Sequence, residues 1–303
     1  MAQYRKIDKT PFVINEDTKR HKQPEQILTP LKPHQLAILN EAINMENEKM
    51  YINYKNTNYS IKTTTGIIGD HVGSGKTLSV LSIIATHNNI PVDNSVVNTV
   101  NNSIKICYEN EPPQFINTNI IVVPHTIVKQ WVETIKNETK LSYVLVNTSK
   151  TLSSMNAELE KQVVNNDSEL SDSEQKFAKT KKYFETKDIF LVSSTFYKQF
   201  YNTLRLYIDT YKVNISRIIF DEADTIKIPS CETINSNFTW FITSTYNNLL
   251  HPRGIHQVQH IPSGQIYSSM YIAHNYHGLP YDDIRHIRID GVNHNGFIKR
   301  TLS

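Results

Sequence analysis

Apolar positions along this 303-residue chain fall into short blocks that switch between helical and strand-like spacing. From Pro33, residues Leu36, Ile38, Leu39, Ala42, Ile43 and Met45 recur at helical spacing. Ser60–Ile68 reads as a β-type run, Gly69–Gly75 as a glycine-bearing turn, and Lys76–His87 as a helix with Leu78, Val80, Leu81, Ile83 and Ile84 on its apolar side. Ile120–Val123 is an uninterrupted β-branched run ended by Pro124, the pattern of a strand buried on both faces. Thr126–Thr139 is helical. Ser142–Val146, Asp188–Ser193, Arg217–Phe220 and Thr239–Thr243 are further apolar strands, with an aromatic-rich helix at Phe196–Tyr211. Strands alternating with helices predict an α/β fold with a parallel sheet covered on both faces.

The polar stretches between these blocks set the expected organisation. Residues 1–28 are charged and broken by Pro11 and Pro24, which predicts a surface arm ahead of a domain over 29–250. Two insertions interrupt that domain. One, at 88–119, is rich in Asn, Ser, Pro and Thr with a short strand at Ser103–Tyr108; the other, at 148–188, is expected to be exposed and partly helical. Residues 251–303 form a His-, Tyr- and Asn-rich extension.

Composition mostly excludes. No apolar stretch approaches the ~18 residues of a membrane helix, and the start MAQYRKIDKTPF carries no secretory signal, so an intracellular protein is expected. Cys107 and Cys231 are too few for a disulfide framework or a four-cysteine zinc site. A net charge of +3 permits a nucleic-acid partner without arguing for one. Heavy use of Asn, Ile, Lys and Tyr is the mark of an AT-rich genome and bears only on the source.

Chemistry concentrates in two segments. In Gly69-Asp70-His71-Val72-Gly73-Ser74-Gly75-Lys76-Thr77, the glycines let backbone N–H groups converge on an anion at a helix N-terminus. Lys76 can then reach terminal phosphates, and the Thr77 hydroxyl can ligate Mg²⁺. The strict phosphate-loop pattern has Gly where Asp70 stands. In Arg217-Ile218-Ile219-Phe220-Asp221-Glu222-Ala223-Asp224, an apolar strand delivers paired acids to the carboxyl edge of the sheet. There Asp221 would hold Mg²⁺ through water and Glu222 would orient or deprotonate the attacking water. Alone, such a pair is more often a helix start; with the phosphate loop upstream the catalytic reading prevails.

These two segments resemble motifs I and II of superfamily 2 helicases, and their order resembles the Swi/Snf-type branch and its relatives in large DNA viruses. Leu31-Lys32-Pro33-His34-Gln35-Leu36 resembles the segment before motif I, which implies that Gln35 reads the adenine edge; Asp70 is the residue that branch carries there. Ile121–Trp131 resembles motif Ia, implying nucleic-acid backbone contacts from His125 and Lys129, and Ile189–Thr195 resembles the next strand with its Thr-bearing turn. Trp240–Thr245 resembles motif III, implying coupling through Thr243, Ser244 and Thr245, although Ser244 stands for a usual Gly and Tyr246 for a usual Pro.

The resemblance implies a three-layer RecA-like lobe that binds ATP and Mg²⁺ through Gln35, Asp70, Gly73, Ser74, Gly75, Lys76 and Thr77. Lys76, Asp221 and Glu222 would carry hydrolysis, coupled to movement on nucleic acid, with DNA slightly ahead of RNA. It also implies a second lobe supplying an arginine finger, and the chain is expected to stop about where that lobe begins, near Phe297–Thr301. Two other readings stay open: a non-catalytic helicase-like scaffold, and a phosphate-loop switch unrelated to helicases, against which Gln35 and the motif Ia segment speak.

Other features have plainer readings. The histidines after residue 250 (His251, His256, His260, His274, His277, His286 and His294) lack zinc-site spacing and suit a polar surface. Trp131 is read as core rather than a base-stacking platform. Lys179-Thr180-Lys181-Lys182 is read as a solvated run, and Cys231 as a small buried filler.

Overall fold

The computed structural model describes residues 14–47, 50–54, 57–61, 63–86, 90, 95–100, 103–108, 114–162, 171–208, 213–226, 234–246, 249, 257–260, 263, 265–267 and 297–300. Two compact units divide it, Met1–Ser244 and Thr245–Ser303. In the first, six parallel strands build the main sheet: β3 (Thr65–Ile68), β6 (Gln114–Val123), β7 (Tyr143–Val146), β8 (Ile189–Ser193), β9 (Val213–Asp221) and β10 (Ser236–Ile242). Their spatial order is β3-β10-β9-β6-β8-β7. Among the described residues six helices accompany them: α1 (Pro33–Asn47), α2 (Lys76–Thr86), α3 (Val128–Glu138), α4 (Ser149–Glu160), α5 (Asp172–Glu185) and α6 (Tyr197–Ile208).

Alternation along the strands divides the core in two. Ile121 and Val123 of β6, with Leu191 and Ile219, pack on α1, α2 and α3. Ile120 and Val122, with Phe190 and Ile218, pack on α4, α5 and α6. Strands apolar on both faces can be sheltered only by helices on both sides, so the layering follows from the β-branched runs. The chain is the expected three-layer α/β lobe.

Several elements depart from the sequence reading. The Ser60–Ile68 run is split: its first part belongs to a separate hairpin of β1 (Met50–Tyr54) and β2 (Thr57–Ile61), and only β3 joins the main sheet. The 88–119 insertion contains a hairpin of β4 (Ser95–Val100) and β5 (Ser103–Tyr108), and β6 already starts at Gln114. The described part of the 148–188 segment is partly helical, as expected, but is not exposed throughout. Its helices α4 and α5 carry capping boxes, Thr148 with Thr151 and Ser171 with Glu174, and bury Met155, Leu159, Tyr183 and Phe184 on the sheet. Polar outer faces concealed that inner stripe. The described part of the N-terminal arm is docked: Leu28 N–H donates to Glu138 O, Lys140 N–H to Gln26 O, and Ile27 is buried.

In the second unit β11 (Gln257–His260) pairs antiparallel with β12 (Gln265–Tyr267) and β13 (Phe297–Arg300). Apart from the backbone of His260, the seven late histidines lie outside the described residues, as does Cys231. Of the two small hairpins and these late strands only the backbone is described.

A buried ionic network crosses the α1 layer. Arg217 and Glu46 form a bidentate pair with both bonds at 2.7 Å, and each side chain is fully shielded from solvent. Glu46 Oε1 also accepts the Trp240 indole N–H at 2.8 Å, and Arg217 donates to Asn119 Oδ1 at 3.0 Å. The Trp240 ring lies against Gly66 so closely that a Cβ there would overlap it. Removing one member of such a pair leaves an uncompensated charge in the core. Arg217→Met is therefore expected to cost about 3–5 kcal/mol, read as a lower urea midpoint. Adding Glu46→Gln removes the stranded charge while keeping an acceptor for Trp240, and should recover part of the loss; a double variant no better than the single would refute this account.

Candidate nucleotide and metal site

All the candidate residues of the first unit except Gln35 sit at or just beyond the carboxyl ends of the parallel strands, or on the helix that starts there. β3 leads into the loop at Gly69–Gly75 and then α2; β9 ends at Asp221, β10 before Thr243, β6 before Pro124, and β8 before Thr195. Parallel strands make this convergence unavoidable, because every strand ends on the same edge.

The loop uses its glycines as the chemistry requires. Gly73 and Gly75 have φ of +79° and +85°, the left-handed region that other residues enter only with strain. Lys76 folds back into the loop, its Nζ donating to Asp70 O at 3.0 Å and His71 O at 2.9 Å. Ser74 Oγ is buried and has no hydrogen-bond partner. A lysine curled over a loop with two left-handed glycines and an unmatched hydroxyl suits an oxyanion such as phosphate.

Two side chains at the start of α1 clamp the loop from below. His34 Nε2 donates to Ser74 O at 2.9 Å, which fixes the tautomer with its proton on that nitrogen. Gln35 is buried; its Nε2 donates to Gly75 O at 3.1 Å and its Oε1 accepts Lys32 N–H at 2.8 Å. The residue expected to face adenine thus also holds the phosphate loop in place.

At the end of β9, Asp221 is buried and receives two hydrogen bonds. Trp131 Nε1 donates to Oδ2 at 2.7 Å, and the Glu222 amide donates to Oδ1 at 3.0 Å. Burial pushes the Asp221 carboxyl above the usual range, opposed by the Trp131 bond, the Glu222 amide and the Lys76 charge. Glu222 is also pushed up, first by burial and then by the negative Asp221, with Lys76 opposing. Its backbone is left-handed at φ +50°, a conformation costing about 1–3 kcal/mol in a non-glycine residue. The strain turns the chain so that Glu222 follows Asp221 out of the strand instead of alternating to its far face.

The motif III segment joins this arrangement. Thr243 Oγ1 donates to Asp224 Oδ1 at 2.6 Å, Thr243 N–H to Ile68 O at 3.2 Å, and Ala223 N–H to Ile242 O at 3.0 Å. The ends of β3, β9 and β10 are therefore tied together. Ser244 is half-buried beside them, and Thr245 opens the second unit. His125, in a 3-10 turn, and Thr195 are exposed. Lys129 is exposed and 3.8 Å from Glu133, a solvated pair of little energetic weight.

Trp131 is core, as expected, and its N–H adds a contact to Asp221 that sequence reasoning missed. The Arg217–Glu46 pair was missed too. Its signal was an acid one turn beyond Leu39 and Ala42 on the α1 stripe, and an arginine opening an apolar strand.

A phosphate-type loop and an acidic pair two strands away give an α/β lobe built like the nucleotide-binding half of a phosphate-loop NTPase. Residues 19–248 match the SNF2-related domain, and the chain belongs to that family. It is 28% identical over 236 residues to R592, a candidate helicase of Acanthamoeba polyphaga mimivirus, covering 63% of this chain and 26% of that protein. The chain thus spans about a quarter of that curated relative's length. Among solved structures it is similar to the Sulfolobus solfataricus SWI2/SNF2 ATPase core in complex with dsDNA. That match has 14% identity and a TM-score of 0.37, over 75% of this chain and 34% of that one. A nuclease-deletion mutant of the Type ISP restriction-modification enzyme LlaGI, in complex with a DNA substrate mimic, matches with 14% identity and a TM-score of 0.39, over 72% and 18% of the two chains.

Two outcomes follow from the loop and the carboxylate. A Cβ at Gly75 would lie 2.5 Å from Gln35 Nε2, whereas one at Gly73 meets nothing within 4 Å. Gly75→Ala should therefore weaken nucleotide binding more than Gly73→Ala, measured by titration with a fluorescent ADP analogue; equal losses would contradict the clamp. Asp221→Asn, which removes a buried charge and keeps an acceptor for Trp131, should raise the melting temperature measured in EDTA.

Proposed function

We propose that this chain is the ATP-binding lobe of a nucleic-acid-dependent helicase or translocase that hydrolyses ATP with Mg²⁺. The observation that carries the reading is the meeting of Lys76, Asp221 and Glu222 at one sheet edge, where the lysine charge acts on both carboxyls. Lys76 and the loop amides would stabilise the phosphates, while Thr77 and Asp221 would hold the metal. Bound Mg²⁺ would offset charge building up on the transferred phosphoryl group. Glu222, its carboxyl pushed up by burial and by Asp221, is suited to take a proton from the attacking water. Gln35 would read the adenine edge while holding the loop.

Membership of the SNF2-related family supports nucleic acid as the partner. DNA stands slightly ahead of RNA among the substrates to try, and both are tested below. His125, Lys129 and Thr195, exposed along the same edge, would contact the sugar-phosphate backbone. Coupling would run through Thr243, Ser244 and Thr245. An arginine finger from a second lobe, in the same protein or in trans, would complete the site; without it turnover should be lower by about 10³-fold or more. A source in a large DNA virus, which the mimivirus relative supports, and action inside the cell belong to the same reading.

The test is ATP turnover with Mg²⁺, with and without single- and double-stranded DNA and RNA. Lys76→Ala should abolish nucleotide binding. Glu222→Gln should leave ATP affinity nearly intact and remove turnover; loss of both together would contradict the role given to Glu222. Tight binding with no turnover in any condition would leave a nucleotide-binding lobe awaiting its second half. Failure to bind ATP would favour the scaffold.

A further inference from the structure

We infer that Trp131 is a positioning residue: its indole N–H fixes the rotamer of Asp221 and thereby sets how tightly the site holds a divalent ion beside the nucleotide. The inference rests on the ATPase reading above and adds a residue to it. Core packing explains why Trp131 is buried, but a site needing only volume would be filled as well by Phe or Leu, and the indole N–H needs an acceptor once it leaves water. The acceptor found is Asp221 Oδ2 at 2.7 Å.

The other tryptophan supplies an internal comparison. Trp240 also donates to a buried carboxylate, Glu46, but Arg217 neutralises that group within the same network. Among the described residues no cation lies within ion-pair distance of Asp221, so its two bonded donors are the indole and the Glu222 amide. One carboxylate is closed by a bonded cation; the other is oriented by two donors and feels the Lys76 charge only at longer range.

Trp131 lies one turn into α3, on the same face as buried Val128 and Ile135. Lys129, Gln130 and Glu133 occupy the solvent side of that helix. A displacement of α3 by about 1.5 Å, one residue's rise, along the line of the indole bond would stretch it beyond hydrogen-bond length. The placement of an outer helix is therefore written into the orientation of Asp221.

The experiment uses the full chain, a fluorescent ADP analogue, Mg²⁺ titration and indole N–H NMR. With two tryptophans, the indole region holds two signals, and Trp131→Phe removes one and so assigns both. Adding Mg²⁺ with ADP should shift the Trp131 signal and leave that of Trp240 in place. In Trp131→Phe the Mg²⁺ concentration needed for tight nucleotide binding should rise about tenfold, the scale of a charge-assisted hydrogen bond. ADP affinity measured in EDTA should stay within about twofold, because the phosphate loop is untouched.

Should Trp131→Phe fail to fold, Asp221→Asn assigns the signals instead, and the wild-type shift carries the test. An unmoved Trp131 signal, or an unchanged Mg²⁺ requirement in a folded Trp131→Phe variant that still binds ADP, would overturn the positioning role and leave the ATPase reading standing. A wild-type chain that binds no ADP, with or without Mg²⁺, would overturn both.

Discussion

The lobe is organised around keeping opposite charges close together at one edge of an otherwise apolar sheet. Lys76, Asp221 and Glu222 are brought there by strands whose side chains are buried on both faces; Asp221 is itself buried, while Lys76 and Glu222 are half-buried beside it. Burial pushes both carboxyls upward; the lysine opposes this at each, and the indole and the Glu222 amide oppose it at Asp221. The result is a pair of acids with raised proton affinity but with compensating partners already placed. That balance is costly without a ligand, and the strained backbone of Glu222 adds to the cost. The surrounding fold has to hold it by force of packing.

Packing does so through ties between elements far apart in sequence. The phosphate loop is clamped from α1 by His34 and Gln35, and the strand ends around it are joined by Thr243 and Ala223. Each tie is a single hydrogen bond worth on the order of 1 kcal/mol. Together they leave the loop, the acidic turn and the motif III segment few independent movements. A change at one of these places is thus felt at the other two.

Most of the lobe was legible in the sequence because its signals are local. β-branched runs such as Ile120–Val123 can only be buried strands, and a glycine-lysine-threonine turn before an apolar helix has few other uses. Illegible parts depend on partners across the fold. The helices α4 and α5 present polar surfaces that outweigh their four buried anchors in any window average. Gln23 looked like one more polar residue of an arm, yet its side chain bonds Ile27 O, Thr29 O and Leu31 N–H and shapes the turn that docks Ile27. Trp131 was readable as core, whereas its acceptor lies 90 residues away and nothing in the local spacing points to it.

The ionic network behind the sheet also constrains the order in which the chain can fold. Glu46 waits 171 residues for Arg217 and 194 for Trp240. At a synthesis rate of about 5–20 residues per second, α1 emerges roughly 10–40 s before Arg217 and Trp240. During that interval the helix carries an acid on the face meant for the core, which discourages premature collapse onto the wrong surface. The network can therefore form only late and through non-local contacts, the kind whose loop-closure cost slows folding.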